Sequence, residues 1–392
     1  MTKKVASRAN AISPFHVMDI LAQAKQLEAA GQNIIHMEVG EPDFETPQPI
    51  IKAGMNALKQ GKTHYTPACG LPELREAIAG WYEQQYQVKV NAERIIVTPG
   101  ASGALLLVMG ALLEKQKQVL LADPGYPCNK HFARFVEGRV NSIPVDANHQ
   151  YQLTAQHIEQ YWDDNTAMAL VASPSNPTGT VLTQQELSDL AAAVATKSGH
   201  LVVDEIYHGL AYDGFHAPTA LSVSDQVFVV NSFSKFFGMT GWRLGWLVVP
   251  EGYTEVMDKL AQNLFLAPAT MSQYAALAAF QTDTLSILEQ RRQAFERRRN
   301  TLLPLLKDIG FSIPVTPQGA FYLYADCSAL LSEQIPDSMA LSQFLLKQAG
   351  VAITPGLDFG HYQAESHCRF AYTRDESLLV AAAERIKRVM IG

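Results

Sequence analysis

Residues 231–245 read Asn231-Ser-Phe-Ser-Lys235-Phe-Phe-Gly-Met-Thr-Gly-Trp-Arg243-Leu-Gly245. The stretch gathers an amine, hydroxyls and a guanidinium just after the apolar run Gln226-Val-Phe-Val-Val230. A lysine so placed can serve as a covalent nucleophile toward a carbonyl compound. Ser232, Ser234 and Arg243 suit the holding of a phosphate, the arginine as a rigid two-pronged donor. The bland alternative is a lysine in a strand-to-loop turn with incidental serines. This stretch alone leaves both open.

Working outward, similar apolar runs occur at Arg94–Thr98, Gln118–Ala122, Ala167–Ala172 and His200–Asp204. Runs that are apolar at every position fit strands covered by helices on both faces, as in a parallel sheet. Helical patterns lie between them, including Leu105–Leu113 and Gln184–Lys197, and the alternation is a βαβ rhythm. Leu71-Pro-Glu-Leu-Arg75 opens another helix with proline at its first position. After about Gln281 the pattern shifts to a long charged helix reaching Leu306, a strand at Gly319–Tyr324, and helices near Ser338–Gln348 and Glu376–Val389. The shift marks a second lobe. The expected class is α/β.

Open α/β sheets bind ligands at the carboxyl ends of their strands, and the polar residues fall there. Gly100-Ala-Ser-Gly103 follows one strand and opens a helix, where backbone N–H groups and a hydroxyl can cradle phosphate. A plain cap is the alternative for Ser102. A dinucleotide site is not supported, because GxGxxG is absent. Asp204 ends its strand with a carboxylate, and Tyr207 follows three residues on. Asn176 precedes Pro177, where it could equally be a turn residue. Tyr126 offers an aromatic face for stacking, or simply packs beside Pro124 and Pro127. Arg369 sits in an otherwise apolar, strand-like segment, while Arg374 reads as a surface charge.

In chain order the motifs are Val39-Gly-Glu-Pro-Asp43, Tyr65, Gly100-Ala-Ser-Gly103, Asp123-Pro-Gly-Tyr126, Asn176-Pro-Thr-Gly179, Asp204-Glu-Ile-Tyr207, Lys235, Arg243 and Arg369. From about Ile34 to the C-terminus this set resembles the class I and II aminotransferases, the fold-type I pyridoxal-phosphate enzymes of the aspartate-aminotransferase-like kind. The resemblance implies pyridoxal 5'-phosphate held by Lys235 as a Schiff base. It assigns the phosphate to Gly100, Ala101, Ser102, Ser232, Ser234 and Arg243, and ring stacking to Tyr126. Asp204 is expected at the ring nitrogen, with Asn176 and Tyr207 at the phenolate oxygen. Arg369 is expected to fork onto the substrate α-carboxylate, with Gly40 and Asn176 also on the substrate side. Tyr65 is expected to reach the partner's phosphate in a homodimer.

The implied architecture is a large domain (47–290) with a mostly parallel central sheet between helices. A smaller α+β domain is formed by the N-terminal segment (1–46) and the C-terminal part (291–392). The implied reaction exchanges an amino group between an L-amino acid and a 2-oxo acid with ping-pong kinetics. Aspartate, alanine or aromatic substrates are expected, with glutamate/2-oxoglutarate as the shared pair. The sequence offers no second cation for a distal carboxylate, and Gly103 has no side chain where some relatives carry a longer polar one. A PLP-dependent β-lyase or a cyclopropane-forming synthase on the same fold is the alternative. A cofactor-binding sensor domain is disfavoured, because only a short segment precedes the first motif.

Composition narrows the classes. The chain has 392 residues, 47% hydrophobic and 18% charged, with formal net charge −7, which argues against a nucleic-acid partner. The densest basic group, Arg291, Arg292 and Arg297–Arg299, is expected on a solvated helix face. Cys69, Cys128, Cys327 and Cys368 have no CxxC spacing, so a reducing, cytoplasmic setting is expected. Lys3, Lys4 and Arg8 are followed by Asp19 and Gln23, which interrupt any signal-like apolar segment. The longest apolar stretch, Gly103–Leu113, is too short for a bilayer and reads as a buried helix. No HxH or HExxH pair suggests a metal.

Overall fold

A computed structural model of the chain describes residues 5–391, so Lys3 and Lys4 lie outside the described residues. Twelve strands are defined: β1 (Ile35–His36), β2 (Ile95–Thr98), β3 (Gln118–Asp123), β4 (Arg139–Pro144), β5 (Thr166–Ala172), β6 (His200–Asp204), β7 (Phe228–Ser232), β8 (Gly245–Val248), β9 (Tyr322–Asp326), β10 (Val351–Ala352), β11 (Thr354–Pro355) and β12 (His367–Ala371). Seven form the central sheet, in the order β2-β8-β7-β6-β5-β3-β4. All its strands run the same way except β8, which is antiparallel to both neighbours.

The apolar runs are explained by burial on both faces. Ile95 and Val97 join one apolar core while Ile96 joins another. Likewise Ala169 and Val171 face one side, and Met168 and Leu170 the other. Alternate side chains leave a strand on opposite faces, so a sheet covered twice needs hydrophobic residues throughout. One cover is the helix Gly100–Leu112, which buries Leu105, Leu107, Val108 and Met109. The other includes the helices Pro72–Tyr86 and Gln184–Thr196. The latter begins with Thr183 and Glu186 in a reciprocal capping box.

Neither β4 nor β8 is among the strands expected from the apolar runs. β4 is an edge strand with exposed polar positions, and β8 is a short run hidden behind Arg243 and Gly245. β8 matters because it runs backwards. Gly245 pairs with both Thr98 and Ser232, so the residues entering β8 arrive at the edge where β2 and β7 end.

A further apolar core joins Ile35 and Met37 to Phe295, Leu306, Tyr322, Val351, Phe370 and Leu379. The long helix Thr282–Ile309 links the two regions. Arg297 is exposed as expected, but the other four arginines correct the expectation of a solvated face. Arg298 is buried and donates to both carboxylate oxygens of Asp43, at 2.7 and 2.9 Å. Arg299 is buried and grips Asp213 at 2.6 and 2.7 Å. Arg292 bridges Glu289 and Glu296. Each partner except the two glutamates comes from a distant part of the chain, so helical charge spacing alone misreads them as solvent-facing. Arg374 is likewise no free surface charge: it is half-buried and its Nε donates to the His36 carbonyl at 3.2 Å. Among the described residues no helix is long and apolar enough to cross a membrane.

Candidate active site

The carboxyl ends of β2, β3, β5, β6 and β7 converge on one edge of the sheet, together with the start of β8. A cavity of about 410 Å³ opens there. Its walls include Ala101 and Ser102 after β2, Tyr126 after β3, Asn176 after β5, Asp204 and Tyr207 at the end of β6, and Ser232, Ser234 and Lys235 after β7. Arg243, Gly40 and Arg369 complete the group. Of the residues expected from sequence, Gly100 and Tyr65 are not in the wall. Gly100 sits under Arg243 with φ +70°, and a Cβ there would lie 2.7 Å from the guanidinium, so only glycine fits. Tyr65 is 82% exposed on the surface.

Lys235 is half-buried, and its Nζ donates to the Gly40 carbonyl at 2.6 Å. Burial pulls its pKa down to about 8, with Arg369 and Arg243 acting in the same direction against Glu41 and Asp204. A large fraction of a neutral amine is therefore within reach near physiological pH. Asp204 is buried, with Ile206 N–H donating to its Oδ1 at 3.1 Å. Desolvation pushes its pKa up to about 7. A buried carboxylate with one backbone donor is poised to take a cationic partner.

Arg369, from β12, is fixed on several sides. One Nη donates to Asn176 Oδ1 at 2.9 Å; the other donates to the Glu38 carbonyl at 2.5 Å and Thr354 Oγ1 at 3.2 Å. Its guanidinium lies 4.3 Å from the Tyr322 ring centre and 4.8 Å from that of Phe359. Its buried Nε–H has no partner. A donor left unpaired in a dry wall is costly unless a ligand completes it. Tyr207 and Tyr322 share a hydroxyl–hydroxyl bond of 2.7 Å. The Tyr322 hydroxyl lies where a Cβ on residue 40 would project, which accounts for glycine there.

The helix Gly100–Leu112 has no side-chain cap at its N-terminus, and Ser102 is exposed beside it. Its first N–H groups and the Ser232–Ser234 hydroxyl pair (3.0 Å apart) flank the exposed Arg243, which adopts a left-handed φ of +53°. This cluster has the donors and the charge to take a phosphate. Together with an aromatic face at Tyr126, a buried carboxylate and an amine, the cavity fits a phosphorylated pyridine aldehyde. Gly103, by contrast, is packed against the Pro99 ring, where a Cβ would come within 2.9 Å.

Sequence reasoning missed Glu38, Tyr322, Thr354 and the segment Phe15–Met18, all of which line or brace the cavity. Glu38 and Tyr322 do lie inside or beside recognisable motifs, but their partners come from far along the chain. Phe15 and Val17 are held over the cavity because Asp358 accepts from the His16 and Val17 N–H groups, at 2.8 Å each.

The Asp204 shift carries a stability test. Its folded pKa is raised from an ordinary 3.8 to about 7, so between these values the folded state holds more protons than the unfolded one. Cofactor-free protein therefore loses stability from this group as pH rises through that window, on the order of 4 kcal/mol in full. Cofactor-free Asp204→Asn is expected to melt several degrees above cofactor-free wild type at pH 8, with the gap closing toward pH 4. Thermal melts at the two pH values check this; equal melting temperatures at pH 8 would contradict it.

Comparison with known proteins agrees with this geometry. Residues 32–386 match the family model "Aminotransferase class I and II". The chain is similar to the (5-formylfuran-3-yl)methyl phosphate transaminase of Methanocaldococcus jannaschii, at 36% identity over 96% of both chains. It is also similar to the valine–pyruvate aminotransferase of Mycobacterium tuberculosis, at 36% identity over 98% of both. Among solved structures it resembles the aspartate aminotransferase of Thermus thermophilus with maleate, with a TM-score of 0.92 and 33% identity over 99% of this chain and 100% of that one. A match over nearly the whole length, carried by a cavity of this chemistry, means that the chain belongs to the class I and II aminotransferases, which are pyridoxal-phosphate-dependent enzymes.

Proposed function

We propose that Lys235 is both the covalent anchor of pyridoxal phosphate and the group that moves the proton in transamination between an L-amino acid and a 2-oxo acid. The observation carrying this reading is the Lys235 amine, held 2.6 Å from the Gly40 carbonyl in the cavity that also contains Asp204 and Arg369. When bound, pyridoxal phosphate supplies an electron sink for the charge left at the substrate Cα. Asp204 would hold a proton on the cofactor's ring nitrogen, Tyr126 would offer it an aromatic face, and Asn176 and Tyr207 would be donors for its oxygen substituent. The N–H groups of residues 100–102, with Ser232, Ser234 and Arg243, would hold the phosphate. Arg369, fixed in the cavity wall, would take the α-carboxylate. The Lys235 amine, once free, would be the base that takes the proton from the substrate Cα and holds it for return, in either direction of the exchange.

The substrate set is aspartate, alanine or aromatic amino acids, with glutamate/2-oxoglutarate as the common pair. Among the described residues, the cations lining the cavity are Lys235, Arg243 and Arg369, all with other roles, while Phe15, Val17, Met18 and Leu105 add apolar wall. This favours the neutral members of the set. A half-reaction screen of the common amino acids, followed by cofactor absorbance, tests the reading. Rapid bleaching by neutral donors is expected; release of ammonia and pyruvate in place of a 2-oxo acid would instead support a β-lyase.

The working form is a cytoplasmic homodimer in amino-acid biosynthesis, with segment 1–46 and residues 291–392 forming a small domain beside 47–290. The exposure of Tyr65 supports a role across a subunit boundary. Tyr65→Phe is expected to loosen cofactor retention. Mixed with Lys235→Ala, it should form hybrid dimers with one fully wild-type site, raising activity above that of the two proteins kept apart. An active enzyme that runs as a monomer on a sizing column would contradict this.

A further inference from the structure

Three consecutive carbonyls brace the cavity. Glu38 O accepts from Arg369 at 2.5 Å, Val39 O from Thr373 Oγ1 at 3.4 Å, and Gly40 O from Lys235 at 2.6 Å. The Glu38 carbonyl is shared with Thr354 Oγ1, which donates to it at 2.9 Å, and the segment also carries the Glu38 side chain. It is fully buried, and its Oε1 is bonded to His36 Nδ1 at 2.7 Å. Its other oxygen has no partner. The His36 ring is nearly buried, and its Nε2 meets Glu28 Oε1 at 3.1 Å. Glu28 itself is open to solvent. Both ring nitrogens thus face carboxylates, which suits the doubly protonated imidazolium.

We propose that His36 is a positioning residue for substrate binding: through Glu38 it fixes the backbone carbonyl that seats Arg369, so that substrate affinity depends on the His36 proton. A buried carboxylate whose one cationic partner is neutralised is strongly disfavoured, so the Glu38 segment must shift. That shift alters the seat of Arg369. The direction of the titration agrees. The hydrogen bond to Glu38 raises the His36 pKa above 6.5, against desolvation and with help from Glu28. The pair is therefore intact below pH 6.5 and is lost as pH climbs through the raised value. The ionisable groups bonded to this residue are Glu38 from its own segment, Glu28 from the helix His16–Ala29, and Arg374, whose Nε donates to the His36 carbonyl. The paired strand Val351–Ala352 contributes no charge.

The test is the pH dependence of KM and kcat for one amino-acid donor, measured on holoenzyme from pH 6 to pH 9.5. In wild type, KM is expected to rise roughly fivefold or more through an alkaline limb, a usual size for coupling between two sites. His36→Gln, a permanently neutral donor, should show the high KM at every pH, while kcat changes by less than about twofold. His36→Lys, which keeps its charge, should extend the low KM to higher pH. Should His36→Gln fold poorly, Glu28→Gln at the exposed end still decides the matter, because it should move the limb to lower pH. A wild-type KM profile in His36→Gln, or an unmoved limb in Glu28→Gln, overturns the proposal. The inference rests on Arg369 as the carboxylate-binding arginine. Failure of that reading would show separately, as an unchanged KM in Arg369→Ala.

Discussion

Lys235→Ala is expected to lower transamination by roughly 10⁴-fold, because on the proposed reading it removes the covalent anchor and the proton carrier together. The loss should lie in the chemical step. The Gly40 carbonyl loses its 2.6 Å donor, but Arg243 and the serines proposed to hold the phosphate are untouched. Some cofactor should therefore stay bound, without the pH-dependent absorbance of a lysine-linked form. Single-turnover measurements with an added donor amino acid would check this. Turnover near the wild-type rate would remove Lys235 from the mechanism and reopen the reading of residues 231–245.

The second large effect is expected at Arg369. It is buried between Tyr322 and Phe359, with its Nη groups spent on Asn176, Glu38 and Thr354. Such a guanidinium is preorganised, so little ordering cost remains when a carboxylate arrives. Losing a charge-assisted contact while the partner charge stays buried costs about 2–5 kcal/mol. Arg369→Ala should therefore depress kcat/KM by roughly 30-fold to several thousandfold. The loss should be similar for aspartate and for neutral donors, since all carry the α-carboxylate. Arg369→Lys should fall between, keeping charge but not the planar fork. A loss confined to dicarboxylic substrates would mean that Arg369 reads the side chain instead.

Both effects fall on residues legible in the chain itself, and the reason is local. Lys235, Asp204, Asn176 and the Gly100 turn follow apolar runs, and a strand's end is marked where such a run stops. The helices Gln184–Thr196 and Thr282–Ile309 were legible for the same kind of reason, since capping and apolar spacing are written within a few residues.

What the sequence by itself determined is the order of the buried strands β2, β3, β5, β6 and β7, the α/β class and the set of polar residues at their ends. The tertiary structure alone decided which of them touch. The Lys235–Gly40 bond joins residues 195 apart, and Arg369 meets Glu38 across 331. Arg298 is buried by Asp43, 255 residues away, where helical spacing pointed to solvent. The reversed direction of β8, which delivers Arg243 to the same edge as Lys235, shows only in its antiparallel pairing with β2 and β7. Periodicity records whether a residue is buried, because burial repeats with the turn of a helix or the pleat of a strand. It holds no record of the partner, because a long-range contact is set by how whole elements pack, and that packing leaves no spacing in the chain.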